Sequence, residues 1–585
     1  MAGLFGVLGL RRDGRHTAVA LNSALDRLAR ALGDDPQARE QRWVDSGLAI
    51  AIARRGRPHL DAPQWPMQVG GRRLFVAGHP VLGPDGGAPE GFFAALTLSS
   101  DGAVALETDR CGTRRLFYAV IDGRLCFAPQ ARALAALMDR PPRLDITAAG
   151  MLLSSGVLYR GQTLLEGVRR LGGGARIIVH DGGLKHEERF RYEPGVAARA
   201  KTDCGALAEE FARRVVAAVG RHLGDVDTTA LFLSGRADSR IILAGLLATP
   251  GVPPARVSTV TWGDQPGRPD SDLAVAARLA DGLGVQRRSL LRRDDDFAAK
   301  FEAFNALTGG ASVMAADHPD EPRLMAELAA EGFRHAFRGD QIFLQRPGAY
   351  TLEQAWQGIG LRRLRGARQV LALLAPKVRD AAVAATEATF EALEDRYAGY
   401  RPGQAKEMLY FDIRLQGYLF DAAQARMLYL DERNILLDDP LLALAREMPD
   451  AMRAKAAVFT AAAARLTAAW PPVEFARTRN LAPWAAKCAS DQPAGAYGRA
   501  LLEGHDSPVW DFLDRAAVAR LIDAASRNAP RPAYGSGRAL LSLLRRVEPR
   551  LGASVAAVAR RDHFAEAELL KRVMVLTSAC NTLLG

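Results

Sequence analysis

Between Thr228 and Gly284 the chain twice follows an apolar run of strand length with an apolar stripe of helix length: TTALFLS, SRIILAGLLA, RVSTVTWG and SDLAVAARLADGLG. Strand, helix, strand, helix in this order calls for parallel strands joined by crossover helices, and so for a doubly wound parallel sheet. Ligands of such sheets collect beyond the carboxyl ends of the strands. The first strand runs into LFLSGRADSR, Leu231 to Arg240, where an apolar run stops at Ser-Gly. An acid and a hydroxyl follow at once, immediately before a helix. Backbone N–H groups and the helix dipole at that junction favour a phosphate. Asp238 repels a bare phosphate and has two readings: it holds a magnesium ion that bridges phosphate oxygens, or it or Ser239 caps the helix. A second Gly-Asp, in HAFRGDQIF (His335 to Phe343), supplies the further carboxylate that a second magnesium-contacting position requires.

Upstream the texture is different. GLFGVLGL, GLAIAIARR, RLFVAGHPV, AALTLSS, AVALETD, RRLFYAVIDGRLCFAP and ARIIVHDGGLKHEERF are short strand-like runs broken by Gly or Asp. Asp122-Gly123 between apolar flanks is a hairpin signal. Helical patterns interrupt the strands at Ala20 to Leu32 and at Ala131 to Met138, so an α+β domain is expected to reach about residue 195. EPGVAARAKTD, residues 193–203, has the composition of a linker. Beyond about residue 350 the chain is rich in Ala, Leu and Arg and mainly helical, with no fixed repeat period. A chain of 585 residues exceeds one hydrophobic core, and two domains follow, 1–195 and 200–585.

Composition narrows the partners. The formal net charge of +11 is dispersed as paired arginines, without the basic run of a nucleic-acid arm, so a nucleic-acid partner is not expected. The five cysteines are odd in number and lack C-x-x-C spacing, which argues against a disulfide framework or a zinc site and suits a reducing cytoplasm. MAGLFGVLGLRRDG places its apolar run before its arginines, the reverse of a secretory signal. No apolar run is long enough for a bilayer, so no membrane partner is expected either. A cytoplasmic protein is the expectation.

LFLSGRADS resembles the S-G-G-x-D-S pyrophosphate loop of the asparagine synthetase family, whose members make AMP and pyrophosphate from ATP. ETDRCGTRRLFYAVIDGRLCFAPQARAL resembles the family's R-D-x-x-G-x-(R)-P-L-Y-Y stretch, and GVLYRGQTLLEGVRRLGGGARIIV the end of its N-terminal domain. DERNILLDDPLLALAREMP resembles the E-x-R-x-P-F-L-D segment, and AKAAVFTAAAARL the K-x-x-L-R segment after it. Five such stretches stand in the family's order. The resemblance implies an α+β glutaminase-like (Ntn-type) sandwich domain, then an α/β parallel-sheet ATP-pyrophosphatase domain with a largely helical C-terminal part. It assigns Ser234, Gly235, Arg236, Asp238, Ser239, Gly339 and Asp340 to ATP, and Asp238 and Asp340 to magnesium. Lys455 aligns with the lysine that neutralises leaving pyrophosphate, which makes Lys455, Asp238 and Asp340 the catalytic set. Arg433 and Asp438 are expected to be scaffold.

The departures from the family pattern redirect the function. Glutamine-using members expose an N-terminal cysteine, whereas position 2 here is Ala2, which has no nucleophilic atom. Glutaminase activity is expected to be lost. VAGHPVLGP stands where the family has N-G-E-I-Y-N, and Arg236 stands where it has a second glycine. If that position needs positive φ, the substitution costs about 1–2 kcal/mol. Gln341 replaces a glutamate, and Phe337 takes the place of the acidic residue near the acceptor, which suggests a roomier, more apolar acceptor site. Among members without glutaminase chemistry the chain is most similar to the lasso peptide cyclases. That likeness implies a precursor peptide as substrate, with a leader-binding protein and a leader peptidase as partners. Two alternatives stand beside it: an AMP-forming amide synthetase for a small acid, and a catalytically silent peptide-binding scaffold. Tyr410, Asp412 and Asp431 are candidates by position for the base that deprotonates the amine, and none is assigned.

Overall fold

A computed structural model describes residues 3–10, 17–33, 39–56, 65–83, 89–180, 182–196, 203–264, 268–343, 348–478, 483–489, 492–504, 506–527 and 564–585. Ala2 and most of the linker-like stretch, residues 197–202, lie outside them.

The N-terminal part is a sandwich of two six-stranded antiparallel sheets. Across the first the order is Arg169–Arg170, Phe117–Ile121, Arg124–Ala128, Gly3–Gly9, Ile50–Gly56 and Arg39–Asp45. Across the second it is Gly183–Glu188, Ala175–His180, Val104–Thr108, Glu90–Leu98, Arg72–Val81 and Met67–Val69. The two-residue period of a strand explains the layering. Leu4 and Leu8 point between the sheets toward Ile52, Phe75 and Leu96. Phe5 and Val7 point outward onto Leu21, Leu25 and Leu28 of the helix Ala18–Ala31. Asp122 and Gly123 both have positive φ, 50° and 70°, the mirror-image turn that a two-residue hairpin needs.

The second part is built on a five-stranded, fully parallel sheet. Its order is Gln286–Leu291, Ser258–Gly263, Thr229–Phe232, His335–Arg338 and Asp431–Asn434. Both faces are covered, as a parallel sheet requires. Leu231 and Leu233 pack with Val215, Ile241 and Phe459 on one side, whereas Ala230 and Phe232 pack with Leu324, Met325 and Leu328 on the other. The strand order reverses between Thr229–Phe232 and His335–Arg338, which makes the gap between these two the topological switch point.

Two features differ from the sequence expectation. The helix Ile146–Ser155, which reads as part of the first domain, packs into the C-terminal helical core, where Ala149, Leu152 and Leu153 join Ala382, Val573 and Leu576. It is buried nearly all round, and local periodicity cannot say which core such a helix enters. The arginines, read as charge spread along the chain, include three that bind the domains together. Asp109 accepts hydrogen bonds from the N–H groups of Cys111 (2.8 Å) and Thr113 (3.0 Å), which folds residues 109–115 into a tight turn. From this turn Arg110 pairs with Asp439 at 3.0 Å, Arg114 with Asp431, and Arg115 with the fully buried Asp421.

Candidate active site

The switch point brings together the two loops singled out in the sequence. Ser234 and Gly235 leave the central strand, and the helix Ala237–Leu247 begins directly after them. The Ser234 N–H donates to Ser239 Oγ (2.9 Å), the Gly235 N–H to Asp272 Oδ1 (3.0 Å), and the Arg236 N–H to Ser234 Oγ (3.3 Å). The loop amides therefore already have partners. Arg236, at the helix N-cap, makes no side-chain capping bond, so no cap side chain offsets the positive end of the dipole at the first turn. Arg236 has φ −112° and ψ 174°, ordinary extended backbone. The strain expected if an arginine stood at a glycine position is absent.

Gly235 is required for a different reason. A Cβ there would lie 2.5 Å from Ala476 Cβ and 3.0 Å from Val275 Cβ, while its carbonyl accepts the Ala476 N–H at 2.9 Å. The Arg240 guanidinium locks the same contact by donating to the carbonyls of Val473 (2.7 Å), Glu474 (2.6 Å) and Gly235 (3.3 Å). Gly235→Ala will push the loop off this support. Overpacking of that kind costs about 1–3 kcal/mol, and the urea unfolding midpoint of the variant should fall accordingly.

Gly339 and Asp340 approach from the neighbouring strand. A Cβ at Gly339 would stand 3.1 Å from both the carbonyl carbon and Cβ of Asp238, so the glycine lets the second loop lie against the first turn of the helix. Asp340 takes its N–H bond to Asn434 Oδ1 (3.3 Å), at the end of the adjacent strand, and its carboxylate pairs with Arg338 Nε at 2.7 Å. Burial, and then the negative charge of Asp340, pushes Asp238 up to about 7. Its Oδ1 is buried and has no hydrogen-bond partner among the described residues. Gln341 hydrogen-bonds the Asp238 carboxylate. A glutamate at 341 would add a third negative charge to this corner, whereas the amide stabilises the second.

Lys455 is exposed and sits at a kink between helical turns, where the sequence suggested a regular alanine-rich helix. Lys455 (φ 56°) and Ala456 (φ 55°) are consecutive left-handed residues, neither of them glycine. Each costs about 1–2 kcal/mol. The kink is tied to the Asp340 loop through aromatic packing: Phe343 stacks on Phe459 at 6.3 Å between centroids, and both meet Phe211. No hydrogen bond or ion pair joins Lys455 to Asp238 or Asp340.

Phe337 overturns one expectation. Its ring is fully buried in the core of the sheet, beside residues such as Leu231 and Ile435, and so lines no open acceptor site. Arg433 and Asp438 are buried and structural in their contacts. Arg433 donates to Asp431 (2.8 Å) and His335 (3.0 Å), and Asp438 bonds His222 Nε2 (2.8 Å). The sequence reading missed Asp272, Arg338 and Asn434. Only the register of Asn434 beside Arg338 reveals its place, and no local motif carries that information.

The carboxylate pair and the helix N-terminus lie at the switch point of a parallel sheet, where ligands of such α/β domains collect. The sequence model of the asparagine synthase family matches residues 210–544, more than half of the chain, and the chain belongs to that family. It is an asparagine synthase-like, ATP-dependent ligase of the kind that forms amide bonds through an adenylate. None of the curated proteins matches it in sequence. Two solved structures are similar over part of it. One, described as the allosteric regulatory enzyme of purine biosynthesis, is 12% identical, covers 49% of this chain and 80% of its own, and has a TM-score of 0.20. The other, a glutamine phosphoribosylpyrophosphate amidotransferase from B. subtilis with ADP and GMP, is 10% identical, covers 61% and 89%, and has a TM-score of 0.20. Neither likeness bears on the site. Among the described residues no helix is long and apolar enough to cross a membrane.

Proposed function

We propose that the chain activates an Asp or Glu side chain of a precursor peptide as its adenylate and transfers the acyl group to the peptide's own N-terminal amine. The product is a macrolactam of the lasso type. The observation that carries this reading is the convergence of Asp238 and Asp340 at the switch point, with Gly339 packed against Asp238. On this reading the N-terminal sandwich is a degenerate glutaminase-like (Ntn-type) domain.

In the first step a carboxylate oxygen of the acid attacks the α-phosphorus of ATP and pyrophosphate departs. In the second the amine attacks the acyl carbon, AMP leaves and the amine loses a proton. The uncapped first turn of the helix Ala237–Leu247 faces the phosphates. Lys455 receives the leaving pyrophosphate, and the paired left-handed residues at its kink fit a side chain held for a purpose. Asp238 and Asp340 suit magnesium: the buried Oδ1 of Asp238 has no hydrogen-bond partner among the described residues, and one or two carboxylates are the usual protein contribution beside substrate phosphates. The ion supplies positive charge to the phosphates of bound ATP. No group of three or more His, Cys, Asp or Glu placed to hold a metal ion occurs among the described residues. A leader-binding protein and a leader peptidase complete the proposed partners.

The test is mass spectrometry of acidic peptides incubated with the protein and Mg-ATP, with and without a leader-binding partner, while AMP is assayed. Loss of one water from a peptide, matched by AMP, supports the cyclase. AMP with small acids alone points to a small-molecule ligase, and no AMP with any acid to a silent scaffold.

A pH dependence follows from Asp238. With its carboxyl raised to about 7, the metal-free site holds a proton below neutrality, and magnesium must displace it. The apparent magnesium affinity should fall up to about tenfold per pH unit below 7 and level off above 8. Calorimetry in buffers of different ionisation heat should show proton release at pH 6 and little at pH 8.

A further inference from the structure

The segment Tyr410–Leu419 is a ten-residue π-helix, a rare conformation that occurs frequently at functional sites. Most of its side chains are buried, and Tyr410, Arg414, Tyr418 and Leu419 form its open face. At one end of this face Tyr410 lies among Asp340, Arg414, Asp238 and Arg338, and burial followed by the Asp340 charge raises its phenol. At the other end the Tyr418 hydroxyl donates to Asp317 (3.3 Å). Arg414 stands between them, its guanidinium 3.9 Å over the Tyr418 ring.

Arg414 has no hydrogen bond and no ion pair among the described residues. The acids beside its two tyrosine neighbours are committed elsewhere: Asp340, near Tyr410, to Arg338 (2.7 Å) and Asp317, at Tyr418, to Lys571 (2.9 Å). A partly desolvated guanidinium without a counter-ion is unfavourable, and ring stacking offsets only part of that cost. An anion bound at Arg414 would complete the site. The phosphates already have the helix N-terminus, the Asp238–Asp340 pair and Lys455. The anion with no partner is the acid to be activated, and a guanidinium matches a carboxylate with two parallel hydrogen bonds.

We infer that Arg414 holds the carboxylate of the acid substrate, fixing the acid beside the metal-binding carboxylates for attack on the α-phosphorus. The inference rests on the ligase reading above and names the residue that selects its acid. Tyr418 supports the guanidinium, which lies 3.9 Å over its ring.

The test is calorimetric binding of N-acetylglutamate α-amide, up to millimolar concentrations, to protein loaded with magnesium and α,β-methylene-ATP. Its glutamine counterpart serves as the uncharged control. The carboxylate probe is expected to bind the unaltered protein and to bind Arg414→Gln at least about tenfold more weakly, with nucleotide affinity unchanged. Arg414→Lys should fall between, since it keeps the charge and loses the fork. Unchanged nucleotide affinity also reports that the variant is folded. Equal binding of the probe to protein and variant overturns the assignment, as does no binding to either. A loss that falls on the nucleotide makes Arg414 a phosphate ligand and overturns it too. If the probe binds through Arg414 but no acid ever yields AMP, the proposed function fails and the carboxylate site stands.

Discussion

Asp238→Asn should abolish AMP formation while leaving the fold as stable as before, or more so. Removing a carboxylate that organises phosphate charge costs several kcal/mol of transition-state stabilisation, and we expect turnover to fall about 10³-fold or more. The stability half separates this role from helix capping. An acid that merely caps a helix stabilises it, and its loss costs about 0.5–2 kcal/mol. Asp238 is instead raised to about 7 by burial and by Asp340. A folded-state value above the unfolded one means that the ionised group opposes folding. The penalty is small near pH 4, grows as pH rises toward 7 and is complete above it. The Asn variant should therefore match the parent near pH 4 and exceed it at pH 8 in urea unfolding. A variant that keeps its activity and loses stability at pH 8 would return Asp238 to the capping role.

The largest effect on stability is expected at the domain interface, from Asp421→Ala. Asp421 and Arg115 are both almost fully buried, one on each side of the interface, and Asp421 also accepts a hydrogen bond from Ser312. Deleting one partner strands the other charge away from water, which typically costs about 3–5 kcal/mol. The urea midpoint should fall accordingly, and limited proteolysis should begin to release the N-terminal sandwich. The double variant Arg115→Met, Asp421→Leu removes both charges and should recover most of the loss. If the single variant unfolds like the parent, the pair is not buried in solution as it is in the structure.

Much of the site was legible because it follows from chain direction. An apolar run that ends in Ser-Gly and restarts as a helix must leave Ser234 to Ser239 at the carboxyl edge of the sheet, and Gly339-Asp340 repeats the pattern one strand away. What escaped the sequence depends on pairing between distant segments. Asn434 reaches Asp340 only because Asp431–Asn434 pairs in register with His335–Arg338. Arg414 looks like any charged residue on a helix, since nothing local says that its neighbours are already paired or that its helix is wound as π. Arg110, Arg114 and Arg115 likewise add to the net charge of +11 as though they were solvated, whereas each is neutralised by an aspartate of the other domain. Phe337 misled because a motif alignment assigns a position and not the side of the strand on which a ring will lie.

The switch point also bears on how the chain reaches this state. Its two flanking strands, Thr229–Phe232 and His335–Arg338, are separated in sequence by the outer strands and their helices. Bringing them side by side closes a long loop, whose entropy must be surrendered before the pairing returns anything. The antiparallel hairpins of the N-terminal sandwich, such as the one turned at Asp122-Gly123, face no comparable delay. The switch-point edge is thus expected among the late-forming parts of the molecule. During refolding, a chain with its first domain in place passes through an interval in which Asp238 and Asp340 have not yet met.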